Sequence, residues 1–201
     1  MTSPAAPPLD QRESVETRIL DAALVRFGKV GVKKTTIEDI AREAGVDRVT
    51  VYRRIGSRDD VVQAAANREV ATVLGEVSEI AARHDDIDDL VVDIFVTVMT
   101  RWRTHPLVNR MLALEPERVI AKLTIEGAET VSMSITATTA VLEDAVRRGL
   151  LPQSPDLVTR AELVCRVILS FLVTPHGTIA LQTEAELAAF ARNYLVALVT
   201  G

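Results

Sequence analysis

Cysteine is nearly absent from this 201-residue chain. Cys165 stands alone, so neither an intrachain disulfide nor a cysteine-based metal cluster can form. Aromatic residues make up only 3% of the sequence, with a single tryptophan, Trp102. No uninterrupted apolar run reaches the roughly 20 residues that would span a bilayer. The N-terminus also has no charged-then-apolar signal, so the expected address is the cytoplasm, with no membrane partner. A glycine-rich phosphate loop and a nucleophile–base pair are missing too, and Glu115, Glu117 and Glu126 read as ordinary helix-surface carboxylates. Catalysis is therefore not expected. His84, His105 and His176 have no paired metal-ligand spacing, and the aspartates at 85–89 read as helix-start residues, so neither metal nor cofactor is expected.

What is present is helical. With 48% hydrophobic residues the chain can bury a sizeable core, and its apolar positions recur at helical spacing. Residues 1–12 carry Pro4, Pro7 and Pro8 but no Lys or Arg before Arg12, and read as a flexible arm. A first helix is expected from about Glu13 to Phe27, ended by Gly28 and Gly31. A longer one follows over 58–82, with Gly75 as a weak point, and can couple the parts of the chain mechanically. Pro106, Pro116, Pro152 and Pro155 punctuate the later helices, and one long segment is expected over 116–148. The last two helices, about 156–174 and 184–200, are strongly apolar. The expected fold is all-α: a three-helix unit over 13–72 followed by a larger helical domain over 73–201.

The segment 35–58, TTIEDIAREAGVDRVTVYRRIGSR, is the most specific feature. Thr35 followed by Glu38 has capping-box spacing, and Ile37, Ile40, Ala41 and Ala44 form one buried stripe. Gly45 falls where the chain must turn, and Asp47 is placed to cap the next helix. There Val46, Val51 and Ile55 face inward and leave Arg48, Thr50, Tyr52, Arg53 and Arg54 outside. Ser57 caps a further helix. This is a helix-turn-helix pattern, which puts its second helix into the DNA major groove. Net charge alone, at −5, would argue against a nucleic-acid partner. Between Lys29 and Arg58, however, eight basic residues (Lys29, Lys33, Lys34, Arg42, Arg48, Arg53, Arg54, Arg58) face four acidic ones (Glu38, Asp39, Glu43, Asp47), a local net of +4. Screening confines phosphate attraction to about 10 Å at ordinary salt, so the local balance is the relevant one.

Arg18-Ile19-Leu20-Asp21-Ala22-Ala23, Phe27, Gly31, Thr35-Thr36, Ile40-Ala41, Ala44-Gly45-Val46, Thr50 and Tyr52 together resemble the N-terminal domain of the TetR family. The resemblance covers about 13–70. It implies a homodimeric DNA-binding regulator, usually a repressor, released from its operator when a small molecule binds the C-terminal domain. It further implies that Thr36 lies near phosphate, that Arg48, Val49, Thr50, Tyr52 and Arg53 meet the groove and backbone, and that Arg58 grips the backbone. Asp47 stands where the family commonly has Ser, Val49 replaces a small residue, and Ile55 replaces an aromatic.

Dimerisation is expected through the last two helices and their symmetry mates. For the effector, Phe95, Met99, Trp102, Met111, Leu112 and Met133 are candidate pocket residues of an apolar site, with Thr136 and Thr139 as polar handles. Plain core packing is the alternative for each of them. A dimeric DNA binder without any ligand is the alternative for the whole.

Overall fold

The computed structural model describes residues 14–201; the arm expected over 1–12 lies outside them. Among the described residues every regular element is helical. The chain divides into two compact units, the first ending at Ala66 and the second running Asn67–Gly201. This division and the expected one at 72/73 both fall inside one helix, α4.

The first unit contains α1 (Val15–Val30), α2 (Ile37–Ala44), α3 (Arg48–Arg54) and the start of α4 (Arg58–Ala81). Ser14 caps α1 by accepting the Thr17 N–H at 3.0 Å. Ile19, Ala22, Ala23 and Phe27 then bury one face of the helix. The expected stop at Phe27 is corrected, because α1 continues through Gly28 to Val30. Gly28 keeps helical backbone, whereas Gly31 takes φ 85° and returns its N–H to the Phe27 carbonyl. The expected capping box also moves by one residue. Thr36 caps α2 with Asp39 as its reciprocal partner, while Thr35 is buried and donates its hydroxyl to the Gly31 carbonyl at 2.7 Å. Both pairs have the same spacing, and burial of Thr35 decides between them. Val61, Val62 and Ala65 bury the start of α4.

The second unit continues α4 unbroken through Gly75, then adds α5 (Ile87–Thr104), α6 (Pro106–Leu114), α7 (Pro116–Leu123), α8 (Ala128–Arg147) and α9 (Leu157–Val173). It closes with α10 (Glu184–Phe190), a π-helical turn (Ala191–Leu195) and α11 (Val196–Thr200). Asp86 caps α5 through the N–H groups of Asp88 and Asp89, which accounts for that acidic run. Pro106 and Pro116 each open a helix, where a missing N–H costs nothing. The core gathers Phe95 and Met99 of α5, Leu142 and Ala145 of α8, Ala161 and Val164 of α9, and Leu187, Ala191 and Leu195 near the C-terminus. Phe190 meets Phe95 at 5.5 Å between ring centroids and Phe171 edge-on at 5.2 Å.

One expected helix is broken and another changes its winding. The segment over 116–148 is interrupted between Leu123 and Ala128, where the chain folds tightly on Gly127. A Cβ at Gly127 would lie 2.8 Å from the Lys122 carbonyl oxygen. The last helix widens over Ala191–Leu195, and its buried positions pass from Leu187, Ala191 and Leu195 to Val196 and Val199. Ion pairs and hydrogen bonds tie α4 to its neighbours within this unit: Glu76 to Arg101 at 2.7 Å, Glu69 to His105 at 2.7 Å, and Asn67 to Glu129 at 2.9 Å. No described helix is long and apolar enough to cross a membrane.

Candidate nucleic-acid interface

The interface is built from the α2–α3 turn. Ile37, Ile40, Ala41 and Ala44 bury one side of α2. At its end Gly45 adopts a left-handed conformation (φ 66°), which costs a residue with a Cβ roughly 1 kcal/mol or more. The Val46 N–H then reaches the Ala41 carbonyl at 3.0 Å and the Gly45 N–H reaches that of Arg42 at 3.3 Å, a Schellman pair. Asp47 caps α3 by accepting the Thr50 N–H at 2.6 Å. That hydrogen bond is the main reason its carboxyl sits below the usual range; the Thr50 side chain and, more weakly, the Arg53 charge act in the same direction. The carboxylate that departs from the family pattern is thus spent on its own helix.

Val51 is fully buried and pins α3 by one face. This leaves Arg48, Val49, Tyr52 and Arg53 exposed together and Thr50 half-buried beside them. Val49 is 71% exposed. Arg48 and Tyr52 share a face at i,i+4, with the guanidinium 5.7 Å from the ring centroid. Most of the acidic groups nearby are already engaged. Asp39 pairs with Arg42 and lies 3.7 Å from Arg26, and Glu43 pairs with Lys29 at 3.3 Å. The outer surface of α3 therefore presents Arg48, Arg53 and Arg54 with its single carboxylate, Asp47, engaged in the cap.

Thr36 and Arg58 lie off this helix. The Thr36 hydroxyl is engaged in the α2 cap with Asp39. Arg58 is half-buried and donates from Nε to the Thr35 carbonyl at 2.8 Å and from Nη2 to that of Val32. Arg18, one of the residues that carry the family resemblance, donates from α1 to the Ala44 and Gly45 carbonyls. No local signal announces a contact across 26 positions.

In the second unit the candidate effector residues separate. Phe95 and Met99 are each 1% exposed and belong to the packed core. Trp102, Met111, Leu112 and Met133 are half-buried; Met99 one turn before Trp102 and Glu115, which donates its N–H to the Met111 carbonyl at 2.7 Å, are buried. Thr136 is exposed and donates its hydroxyl to the Ser132 carbonyl of its own helix. The Thr139 hydroxyl oxygen, by contrast, is buried with no hydrogen-bond partner among the described residues.

Residues 19–65 match the family model of bacterial regulatory proteins, tetR family. The HTH-type transcriptional regulator Mb2274c of Mycobacterium bovis is 36% identical over 110 residues, which is 55% of this chain and 56% of that protein; the chain thus matches little more than half the length of this relative. The HTH-type transcriptional regulator TtgR of Pseudomonas putida is 30% identical over 158 residues, covering 73% of each chain. Among solved structures, the TetR family repressor AlkX from a Dietzia strain, implicated in biodegradation of n-alkanes, superposes with a TM-score of 0.74. That match is 19% identical and covers 94% of this chain and 96% of the other, a likeness of fold. The helix-turn-helix geometry, the matched family model and the extended identity with a regulator of the same kind agree: the chain belongs to the TetR family of bacterial transcriptional regulators.

Proposed function

We propose that this protein is a homodimeric repressor that binds a pseudo-palindromic operator and leaves it when a small apolar molecule binds the second unit. The observation that carries the DNA-binding part is the outer surface of α3. Four side chains of suitable chemistry (Arg48, Val49, Tyr52, Arg53) stand exposed on a helix held from behind by Val51. Arginine reads guanine O6 and N7 bidentately, threonine bonds a base edge or a phosphate, and an exposed valine meets a thymine methyl. In this reading Arg48, Thr50 and Arg53 carry sequence choice. Tyr52 holds phosphate, and Thr36, whose hydroxyl and N–H are engaged with Asp39, and Arg58 border the same surface.

The dimer surface lies on the outer faces of the last helices. Leu157, Ala161, Val164, Leu187, Ala191 and Leu195 are consumed in the protomer's own core. Val158, Leu163 and Tyr194 remain 56%, 44% and 62% exposed on the same helices. A two-fold pair would present its recognition helices to half-sites about 34–36 Å apart.

For the effector, half-buried Trp102, Met111 and Met133 and the unpartnered Thr139 hydroxyl support an apolar ligand with one hydrogen-bonding group. Trp102 adjoins Arg101, which holds Glu76 of α4, and His105 on the same segment holds Glu69. A ligand against Trp102 would act on α4 through these pairs. The core placement of Phe95 and Met99 favours the second reading, in which this unit only dimerises.

Footprinting on the DNA upstream of the protein's own gene, with and without small apolar compounds, tests both. A symmetric footprint lost on adding a compound that also quenches Trp102 fluorescence is the expected result. A footprint insensitive to every quenching compound leaves the second reading, and no footprint on any duplex overturns the DNA-binding reading.

A further inference from the structure

Helix α2 carries the turn that aims α3, and a helix leaves its terminal backbone groups unsatisfied. At its C-terminal end the Schellman pair occupies the Ala41 and Arg42 carbonyls. The Ala44 and Gly45 carbonyls lie beyond that pair. Arg18 of α1 takes both from one nitrogen, Nη2, at 2.8 Å and 3.3 Å. A Cβ built on Gly45 would stand 3.7 Å from that same nitrogen, so the guanidinium lies across the turn itself. At the other end, Arg58 of α4 donates to Thr35 and Val32, the carbonyls of the loop that leads into α2.

We propose that Arg18 and Arg58 are positioning residues for DNA recognition, a two-ended bracket that fixes α2 and thereby the direction of α3. This rests on the DNA-binding reading above. Arginine suits both places. At Arg58 its planar fork serves two carbonyls from two nitrogens, which a lysine ammonium cannot do in the same geometry. At Arg18 both bonds come from Nη2, one bond further along the side chain than a lysine nitrogen reaches. The Arg18 charge also complements the negative end of the α2 dipole. Because these contacts hold each guanidinium against the protein backbone, the bracket assigns neither arginine a phosphate contact. They act on specificity through the aim of α3, while sequence-independent binding comes from other cations.

The test uses the full chain and two duplexes of equal length, one enriched by the wild-type protein from a random library and one with that sequence scrambled. Arg18→Lys and Arg58→Lys keep charge and stem, and Arg18→Met and Arg58→Met remove the charge. The bracket predicts that both Lys variants lose about tenfold or more on the enriched duplex, the size of one lost base contact, and stay near wild type on the scrambled one. It also predicts that the Met variants keep the wild-type slope of log affinity against log salt, whereas a lost phosphate contact would reduce the slope by about one. Wild-type affinity of the Lys variants on the enriched duplex overturns the bracket, as does a shallower slope in a Met variant. Should the Met variants lose helical circular dichroism, the Lys pair decides. Unfolding of the Lys variants as well overturns the bracket, since the arginines would then serve folding alone. Failure of the wild-type chain to enrich any duplex defeats the DNA-binding reading itself, a result distinct from all of these.

Discussion

The two units close their helices in different ways. In the first, α1, α2, α3 and α4 each begin on a side chain that accepts a backbone N–H: Ser14, Thr36, Asp47 and Ser57. In the second, Asp86, His105 and Thr183 do the same for α5, α6 and α10, but α7, α8 and α9 begin with no side-chain cap. Burial follows the same division. Half of the eight residues of α2 are buried, whereas α6 and α7 bury none of their side chains and α8 buries only its last part. A reader of DNA needs a helix held at one angle, and caps, turn glycine and arginine contacts all specify that angle locally. In the second unit, only Glu115 and Gly127 are buried between Trp102 and Ala140.

Breaking the packed part of the second unit should have the largest effect. Phe95→Ala removes a ring that is 1% exposed in the core and is expected to cost about 3–5 kcal/mol in urea unfolding. A cost below about 1 kcal/mol would mean that Phe95 lines a fillable site instead of a filled core.

Next come the groove residues. Arg53→Ala and Thr50→Ala should each lower discrimination between enriched and scrambled duplex by about 1–3 kcal/mol. Unfolding stability should change little for Arg53→Ala, which is exposed. Equal losses on both duplexes would move Arg53 from base reading to phosphate contact.

Asp47→Ala divides stability from binding. Loss of the α3 cap should lower the midpoint of thermal unfolding. Affinity for scrambled duplex should not fall, because a carboxylate is removed from beside the phosphates. A fall in that affinity would show that the cap, and not the charge, dominates binding.

Acid should act on the same caps. Hydrogen bonds from Thr36, Thr50 and Ser57 are the leading causes that hold Asp39, Asp47 and Asp60 below the usual carboxylate range. Groups lowered in the folded state add stability above their unfolded pKa of about 3.9 and lose it as pH falls through the lower folded values. Helical melts should therefore be flat from about pH 6 to 5 and decline below about pH 4. The triple variant Asp39→Asn, Asp47→Asn, Asp60→Asn should show a smaller decline, and an identical one would remove the caps from the explanation. The smallest effect is expected at Thr136→Val, an exposed position, within about 0.5 kcal/mol and without change in ligand response. Thr139→Val is its sharper partner, since that hydroxyl oxygen is buried without a hydrogen-bond partner among the described residues.

Much of the first unit was legible because its signals are local. Gly45, Asp47 and Val51 each state their role within a few positions, and the structure places them as their chemistry requires. Capping-box spacing fits both Thr35 and Thr36, and only burial beside Gly31 separates them. The effector residues were less legible. Met99 and Met111 have the same chemistry, yet one lies in the core and the other is half-buried, which depends on how distant helices stack.

The sequence by itself determined the helical class, the α2–α3 turn and the outward set on α3, because caps, periodicity and a left-handed glycine act over three or four residues. Tertiary structure alone decided that Arg18 and Arg58 grip the two ends of α2, and that Phe95 is core while the Thr139 hydroxyl is left unpaired. Those outcomes depend on groups brought together from dozens of positions apart. No short-range pattern encodes them, since long-range contacts are chosen by the packing of whole helices.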